Sequence, residues 1–329
     1  MGLKKYMKTL GFIIFSIFLF LWIILSPTSS NKERKRTIAI DPQDTLSVEW
    51  HAPDISEIPA TPKGELISYG RELIIHTASY FGPKGKISTK ANGLNCQNCH
   101  LYAGTKLFGN NFSLVATTYP KYRARSGGDE TITARVNGCM ERSMNGSPID
   151  TTSREMHAMI AYLNWIGKDV PKNRKILGSG TETLPYLNRP ADAVKGKIVY
   201  IFKCARCHGN DGQGILRNDS SEYYFPPLWG KNSYNIAAGI YRISNLAAFV
   251  KTNMPFGATH NFPLLSNEEA WDVAAFVNSQ PHPYMDYRKD FPVLTTKPID
   301  YPFGPYADNF SENQHKYGPF IGMGNIAKK

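Results

Sequence analysis

The chain is poor in cysteine, and the few it has are unevenly placed. Five occur in 329 residues, none of them before Cys96, which excludes a cysteine lipid anchor near the N-terminus. No basic run appears beyond residue 36, so nucleic-acid binding finds no support. Low-complexity segments are also missing, and 42% hydrophobic residues give the composition of a globular protein. The length suits about two domains of ordinary size. Glycine, proline and tyrosine are plentiful, with 27, 22 and 18 copies, which argues for a loop-rich fold rather than a clean bundle or sheet.

Only one long apolar run exists. Leu10–Leu25 is uncharged over sixteen residues and follows Lys4, Lys5 and Lys8. That length falls between a signal-peptide core and a full membrane span, and no A-x-A site follows it. Residues 1–36 are therefore read as a signal or membrane anchor, with an uncleaved anchor preferred. Either way the remainder lies outside the cytoplasm, periplasmic or on the outer face of the membrane. The segment holds seven Lys/Arg against Glu33 alone, a net +6 of the total +11, which leaves +5 for the rest. That balance fits a solvated surface or a field that draws in an anionic substrate or an acidic redox partner.

Four of the cysteines form CQNCH (Cys96, Cys99, His100) and CARCH (Cys204, Cys207, His208). C-x-x-C-H attaches a c-type heme: two thiols add to the vinyl groups and the histidine reaches the iron. A disulfide, a redox pair or half of a zinc site would not require a histidine after both pairs. Two covalently attached heme c groups are therefore expected. GELISYGRELIIHTASYF (64–81) precedes the first motif with apolar residues at helical spacing. Before the second, Val194, Ile198, Val199 and Phe202 form an apolar stripe. Helices are expected to close each domain, at 153–167 with Ser153 as N-cap and at 266–281 with a Ser266/Glu269 capping box.

Helix–CxxCH–loops–ligand–helix is the plan of a small monoheme cytochrome c domain, and here it occurs twice. The expected fold is mainly α: two tandem cytochrome c domains, at 61–170 and 190–283. Linkers run over 37–60 and 171–189, and a wrapping tail over 284–329. The repeat also helps to locate the distal ligands. Laying Glu155–Leu163 over Glu269–Val277 sets Tyr162 opposite Phe276, an offset of 114. In KTNMPFG the thioether donor is Met254, and subtracting 114 lands on Met140, beside Cys139. Position does not separate these two, and Met144 lies four residues off. Chemistry leans to the cysteine: an odd thiol in an oxidising compartment suggests reactivity, and Arg135 and Arg142 nearby favour its thiolate. A thiolate on ferric iron would lower the potential relative to methionine. His157 is read as a packing residue, and His51, His76, His260, His282 and His315 are given no functional role.

Several blocks carry a resemblance: GLNCQNCHLYAGT, YPKYRARSG, RVNGCMERSMNG, the REMHAMIAYLNWI helix, FPPLWG, AAFVKTNMPFG and the tail KPIDYPFGPYADNFSENQHKYGPF. In these the chain resembles the diheme thiosulfate dehydrogenase (tetrathionate-forming) family of exported cytochromes c, over nearly everything from about residue 60 to 322. The resemblance implies His100/Cys139 at a first, catalytic heme. At the second the family uses methionine or, in some members, lysine, so it implies His208/Met254. Lys251 is the nearest lysine, and where the family's lysine ligands arise this chain has GIYRISN with Arg242. The implied reaction joins two thiosulfates into tetrathionate or runs in reverse. Arg123, Arg125, Arg135 and Arg142 are the candidate anion partners, and the electrons pass to an external carrier such as a small cytochrome. Rival readings are a non-catalytic electron-transfer cytochrome, a sulfur-carrier-linked cytochrome subunit and, more weakly, a peroxidase.

Overall fold

Two helix crossings, each built around a glycine, organise the chain. The computed structural model describes residues 47–48, 50–172, 175–219 and 221–323. In the first half, α1 (Pro62–Ile75) starts from Thr61, whose hydroxyl accepts the Gly64 N–H, with proline at the first helical position. Further along come α2 (Ile132–Arg142), capped by Thr131, and α3 (Arg154–Ile166), capped by Ser153 through the Met156 N–H. The second half repeats the plan with α4 (Ala193–Lys203), α5 (Ile243–Asn253) and α6 (Asn267–Ser279). Ser266 and Glu269 cap α6 reciprocally, at 3.1 and 2.8 Å, as the sequence pattern anticipates.

Both crossings use the same trick of close approach. A Cβ on Gly70 of α1 would lie 1.9 Å from the Ala158 carbonyl oxygen and 2.9 Å from Tyr162 Cβ on α3. A Cβ on Gly196 of α4 would lie 1.8 Å from the Asp272 oxygen and 2.9 Å from Phe276 Cβ on α6. The 114-residue offset thus pairs Ala158 with Asp272 as well as Tyr162 with Phe276. It fails in the ligand segments: α2 ends at Arg142 and α5 at Asn253, so Met254 is the first residue past its helix while Cys139 lies inside the last turn of α2.

The crossing glycine also overturns the expectation for α4. Because Gly196 must face α6, the helix is rotated so that Gly196 and Tyr200 point inward. At 100° per residue this turns Val194, Ile198 and Phe202 outward, and Phe202 is 81% exposed. Of the expected apolar stripe only Val199 is partly buried. His157, read as a packing residue, lies on the solvent side of α3.

Each half has its own core. Ile67, Leu73, Met156, Met159 and Tyr162 sit in the first, and Tyr200, Leu246, Ala247, Trp271 and Val273 in the second. Sheet is minimal: β1 (Ser47–Val48) runs parallel to β4 (Lys175–Ile176), and β2 (Lys121–Arg123) pairs antiparallel with β3 (Gly128–Glu130), Tyr122 opposite Asp129. Polar contacts join the halves. Glu222, buried, receives Asn95 Nδ2 at 2.9 Å, His76 Nδ1 at 3.1 Å and Arg217 Nε at 2.8 Å. The tail adds Asp290, held by Arg142, and Asp300, held by Arg242, then places Phe320 and Met323 in the second core. No described helix is long and apolar enough to cross a membrane, and the anchor expected at 1–36 lies outside the described residues.

Gly196→Ala forces two backbones apart where nothing flexible can yield, an overpacking effect of about 2 kcal/mol. The variant is expected to keep both hemes attached but to melt several degrees lower in a thermal denaturation scan.

Candidate functional site

The two CxxCH motifs present their histidines in one manner. Cys96–Asn98 forms a single tight turn, and His100 Nδ1 lies 2.6 Å from the Asn110 carbonyl oxygen. A carbonyl only accepts, so Nδ1 carries the proton and Nε2 is left as the donor atom for a metal. Phe112 stacks on the imidazole, with centroids 4.4 Å apart. In the second motif, Cys204 ends α4, Ala205–His208 makes one turn, and His208 Nδ1 lies 2.8 Å from the Pro226 oxygen. Burial lowers the His208 pKa, with the Pro226 bond acting in the opposite direction. A hydrogen-bonded Nδ1 that leaves the lone pair on Nε2 is what an axial imidazole requires. No cysteine is in a disulfide. Among the described residues no group of three or more His, Cys, Asp or Glu is arranged to hold a metal ion.

Helix α2 separates the two candidates that sequence position leaves open. Met140, 1% exposed, is packed into the first core, as is Met144. Cys139 faces the other way, toward the first motif. Burial pushes its thiol up, but the Arg135 guanidinium one turn earlier and a hydrogen bond to His100 outweigh it and bring the pKa to about 7. The motif cysteines feel the same neighbour: burial first, then Cys139, pushes Cys99 up to about 12. The Cys139 sulfur, the His100 ring and the two attachment cysteines are therefore neighbours.

At the second motif, Met254 is partly exposed and follows α5 directly. The rival donors are engaged elsewhere. Lys251 is buried with Nζ 2.5 Å from the Leu265 oxygen, and Arg242 holds Asp300 through Nε at 2.8 Å and through Nη2.

The four arginines divide into two pairs. Arg142 makes a forked ion pair with Asp290, at 2.8 and 2.7 Å. Arg125 donates to the Ala237 oxygen at 2.6 Å and lies 3.9 Å from Asp290. Burial first, then the Arg142 charge, depresses Arg125 to about 10, against the pull of Asp290. These two clamp the first half to the tail. Arg135 instead forms no ion pair among the described residues, and the Cys139 thiolate leads the influences that raise its pKa, ahead of Tyr119 and Glu130. Arg123 lies 3.5 Å from Glu130, and both Arg123 and Arg135 act on Tyr119. Arg135 is thus the cation that acts on Cys139, and Arg123, beside Glu130, joins it in acting on Tyr119. Tyr119, Asp290, Asn110 and Pro226 escape the sequence reading. Two of them act through backbone carbonyls, which no side-chain pattern reveals.

Known proteins share the plan of two cytochrome c domains. Residues 86–171 match the family model "SoxA/TsdA, cytochrome c domain" and residues 193–281 match "Cytochrome c". Thiosulfate dehydrogenase of Stutzerimonas stutzeri is 37% identical over 234 residues, 71% of this chain and 73% of that protein. The Allochromatium vinosum enzyme of the same name is 35% identical over 266 residues, 80% and 91% of the two chains. A solved structure, thiosulfate dehydrogenase (TsdBA) from Marichromatium purpuratum, superposes with a TM-score of 0.65 at 31% identity; the match covers 70% of this chain and 49% of that one. Two cytochrome c domains with one CxxCH each carry two covalently bound heme c groups.

Removing Arg142 takes the forked ion pair from a buried carboxylate and leaves it Arg125 at 3.9 Å and the Tyr301 hydroxyl at 3.1 Å, at a cost of about 3 kcal/mol. Arg142→Ala is expected to lower the denaturant midpoint strongly, and adding Asp290→Asn to recover most of the loss; equal midpoints for the wild type and Arg142→Ala would contradict the clamp.

Proposed function

Because the chain belongs to the thiosulfate dehydrogenase family, we propose that it oxidises two thiosulfates to tetrathionate beside a first heme ligated by His100 and Cys139. A second heme ligated by His208 and Met254 delivers the electrons to an external redox protein such as a small cytochrome. The observation that supports this reading is the disposition of α2: Met140 is sunk in the core while Cys139 faces His100 next to Arg135. A plain electron-transfer cytochrome would call for a methionine in that place. The site lies on the exported side of the membrane, with residues 1–36 as signal or anchor.

Two dianions meet here, and their repulsion amounts to several kcal/mol at partly desolvated separations, about 4 kcal/mol per unit charge pair at 4 Å. Arg135 and Arg123 offset it, because planar guanidinium forks pair with sulfur oxyanions. Arg135 also keeps the Cys139 sulfur anionic, hence nucleophilic. In the proposed sequence the thiolate forms an S–S bond with the outer sulfur of one thiosulfate, with loss of two electrons. A second thiosulfate then attacks that outer sulfur, the S–S bond to Cys139 breaks, tetrathionate leaves and the thiolate is restored. The hemes supply acceptors that take the two electrons one at a time. Tetrathionate reduction is the same sequence reversed.

Cys139→Ala is expected to cut thiosulfate-dependent ferricyanide reduction by about 10³-fold or more while both hemes stay attached. Near-normal turnover would overturn the assignment. Arg135→Ala is expected to lower kcat/KM by about 10- to 100-fold, the value of one charged hydrogen-bonding partner, measured in the same assay.

A further inference from the structure

One short segment touches both ligand sets, and we propose that it couples them: the strap 108–110 links the orientation of His100 to the approach of Met254, with Asn253 as the positioning residue. This rests on the ligand reading above.

The strap has two bonded edges. On one, the Asn110 carbonyl accepts from His100 Nδ1 at 2.6 Å. Two residues earlier, the Phe108 carbonyl accepts from Asn253 Nδ2 at 3.0 Å and from the Thr252 hydroxyl at 3.4 Å. On the other, Phe108 N–H donates to the Gly178 oxygen at 2.6 Å and Asn110 N–H to the Gly180 oxygen at 2.9 Å. All four backbone groups of these two residues are therefore engaged, in three parts of the chain.

The backbone itself shows that the strap is held by its surroundings. Phe108 and Asn110 both adopt φ of 55°, the left-handed region. For a phenylalanine this conformation costs about 1 kcal/mol or more and persists only where the neighbourhood enforces it. The Phe108 ring stacks on His260, centroids 3.7 Å apart, in the loop that follows Met254. Asn253 is 4% exposed, and its amide also lies 3.0 Å from the Phe249 oxygen and 2.9 Å from Thr252 Oγ1, which fixes it to the end of α5. Met254 is the next residue. A shift of that helix end moves the Phe108 carbonyl, and with φ constrained at both 108 and 110 the movement reaches the carbonyl that aims the His100 ring. Orientation of an axial imidazole by its Nδ1 partner tunes the metal, so the state of the second site is felt at the first.

The test uses the full-length ferric holoprotein. Electron paramagnetic resonance reads the low-spin thiolate signal of the first heme, and the near-infrared sulfur-to-iron charge-transfer band reads methionine at the second. Asn253→Ala is expected to weaken the methionine band and also to shift the g-values of the first heme. Asn253→Asp, equal in size but presenting acceptors to the Phe108 carbonyl, is expected to shift them in the same way. Asn278→Ala serves as control: it removes a buried amide of the same domain that bonds the Tyr241 oxygen at 2.7 Å and makes no bond to the strap. Unchanged g-values in both Asn253 variants would overturn the proposal, as would an equal shift in Asn278→Ala. A wild type lacking the thiolate signal or the methionine band would instead refute the ligand reading, and the strap with it.

Discussion

The structure depends on the bond between a ring nitrogen and a backbone carbonyl. His100 and His208 each donate one ring N–H to a main-chain carbonyl, and that single bond fixes the tautomer and leaves the other ring nitrogen as the donor atom. The carbonyls come from loops, Asn110 and Pro226, ten and eighteen residues beyond their histidines. Those loops must therefore be rigid, and the surrounding architecture makes them so. The first is pinned to the linker at Gly178 and Gly180 and to the end of α5. The glycine crossings set the helix pair of each half, and the tail ties α2 down through Asp290. Long irregular connections, which a compact fold tolerates only when their backbone groups are bonded, here orient the two motif histidines.

Much of this was legible in the residues. CxxCH states its chemistry by spacing, and the caps at Ser153 and Ser266 follow from their patterns. The Ala158/Asp272 and Tyr162/Phe276 equivalence could be read because both closing helices meet a glycine in the same way. What could not be read followed from rotation and from partners distant in sequence. Periodicity reports that α4 has an apolar face but not that Gly196, the smallest residue, must claim the interior, turning Val194, Ile198 and Phe202 to solvent. Adjacency on paper put Arg142 as near to Cys139 as Arg135, yet Asp290, a tail residue, engages the first. Cys139 and Met140 were inseparable by offset and are plainly distinct by direction, since neighbouring positions on a helix diverge by 100°.

The two distal positions differ in kind, and the difference has a direction. Cys139 sits inside α2, one turn from a guanidinium, in a place where a charged sulfur is stabilised. Met254 sits past the end of α5, next to the neutral amide of Asn253, and Lys251 points its ammonium at the Leu265 carbonyl. On the proposed ligand sets, the first iron is bound by an anion and the second by a neutral thioether. Thiolate pushes electron density onto iron, whereas a methionine opposite histidine raises the potential. Electrons taken from sulfur at the first site then run downhill to the second. In the proposed mechanism the thiolate on the first iron is also the group that bonds to thiosulfate sulfur, so one residue would both set the slope and perform the chemistry. In the same proposal Arg135 has two roles, neutralising the thiolate at rest and the oxyanions in turnover. That double duty explains why this arginine, alone among the four candidates, has no ion pair to a carboxylate among the described residues.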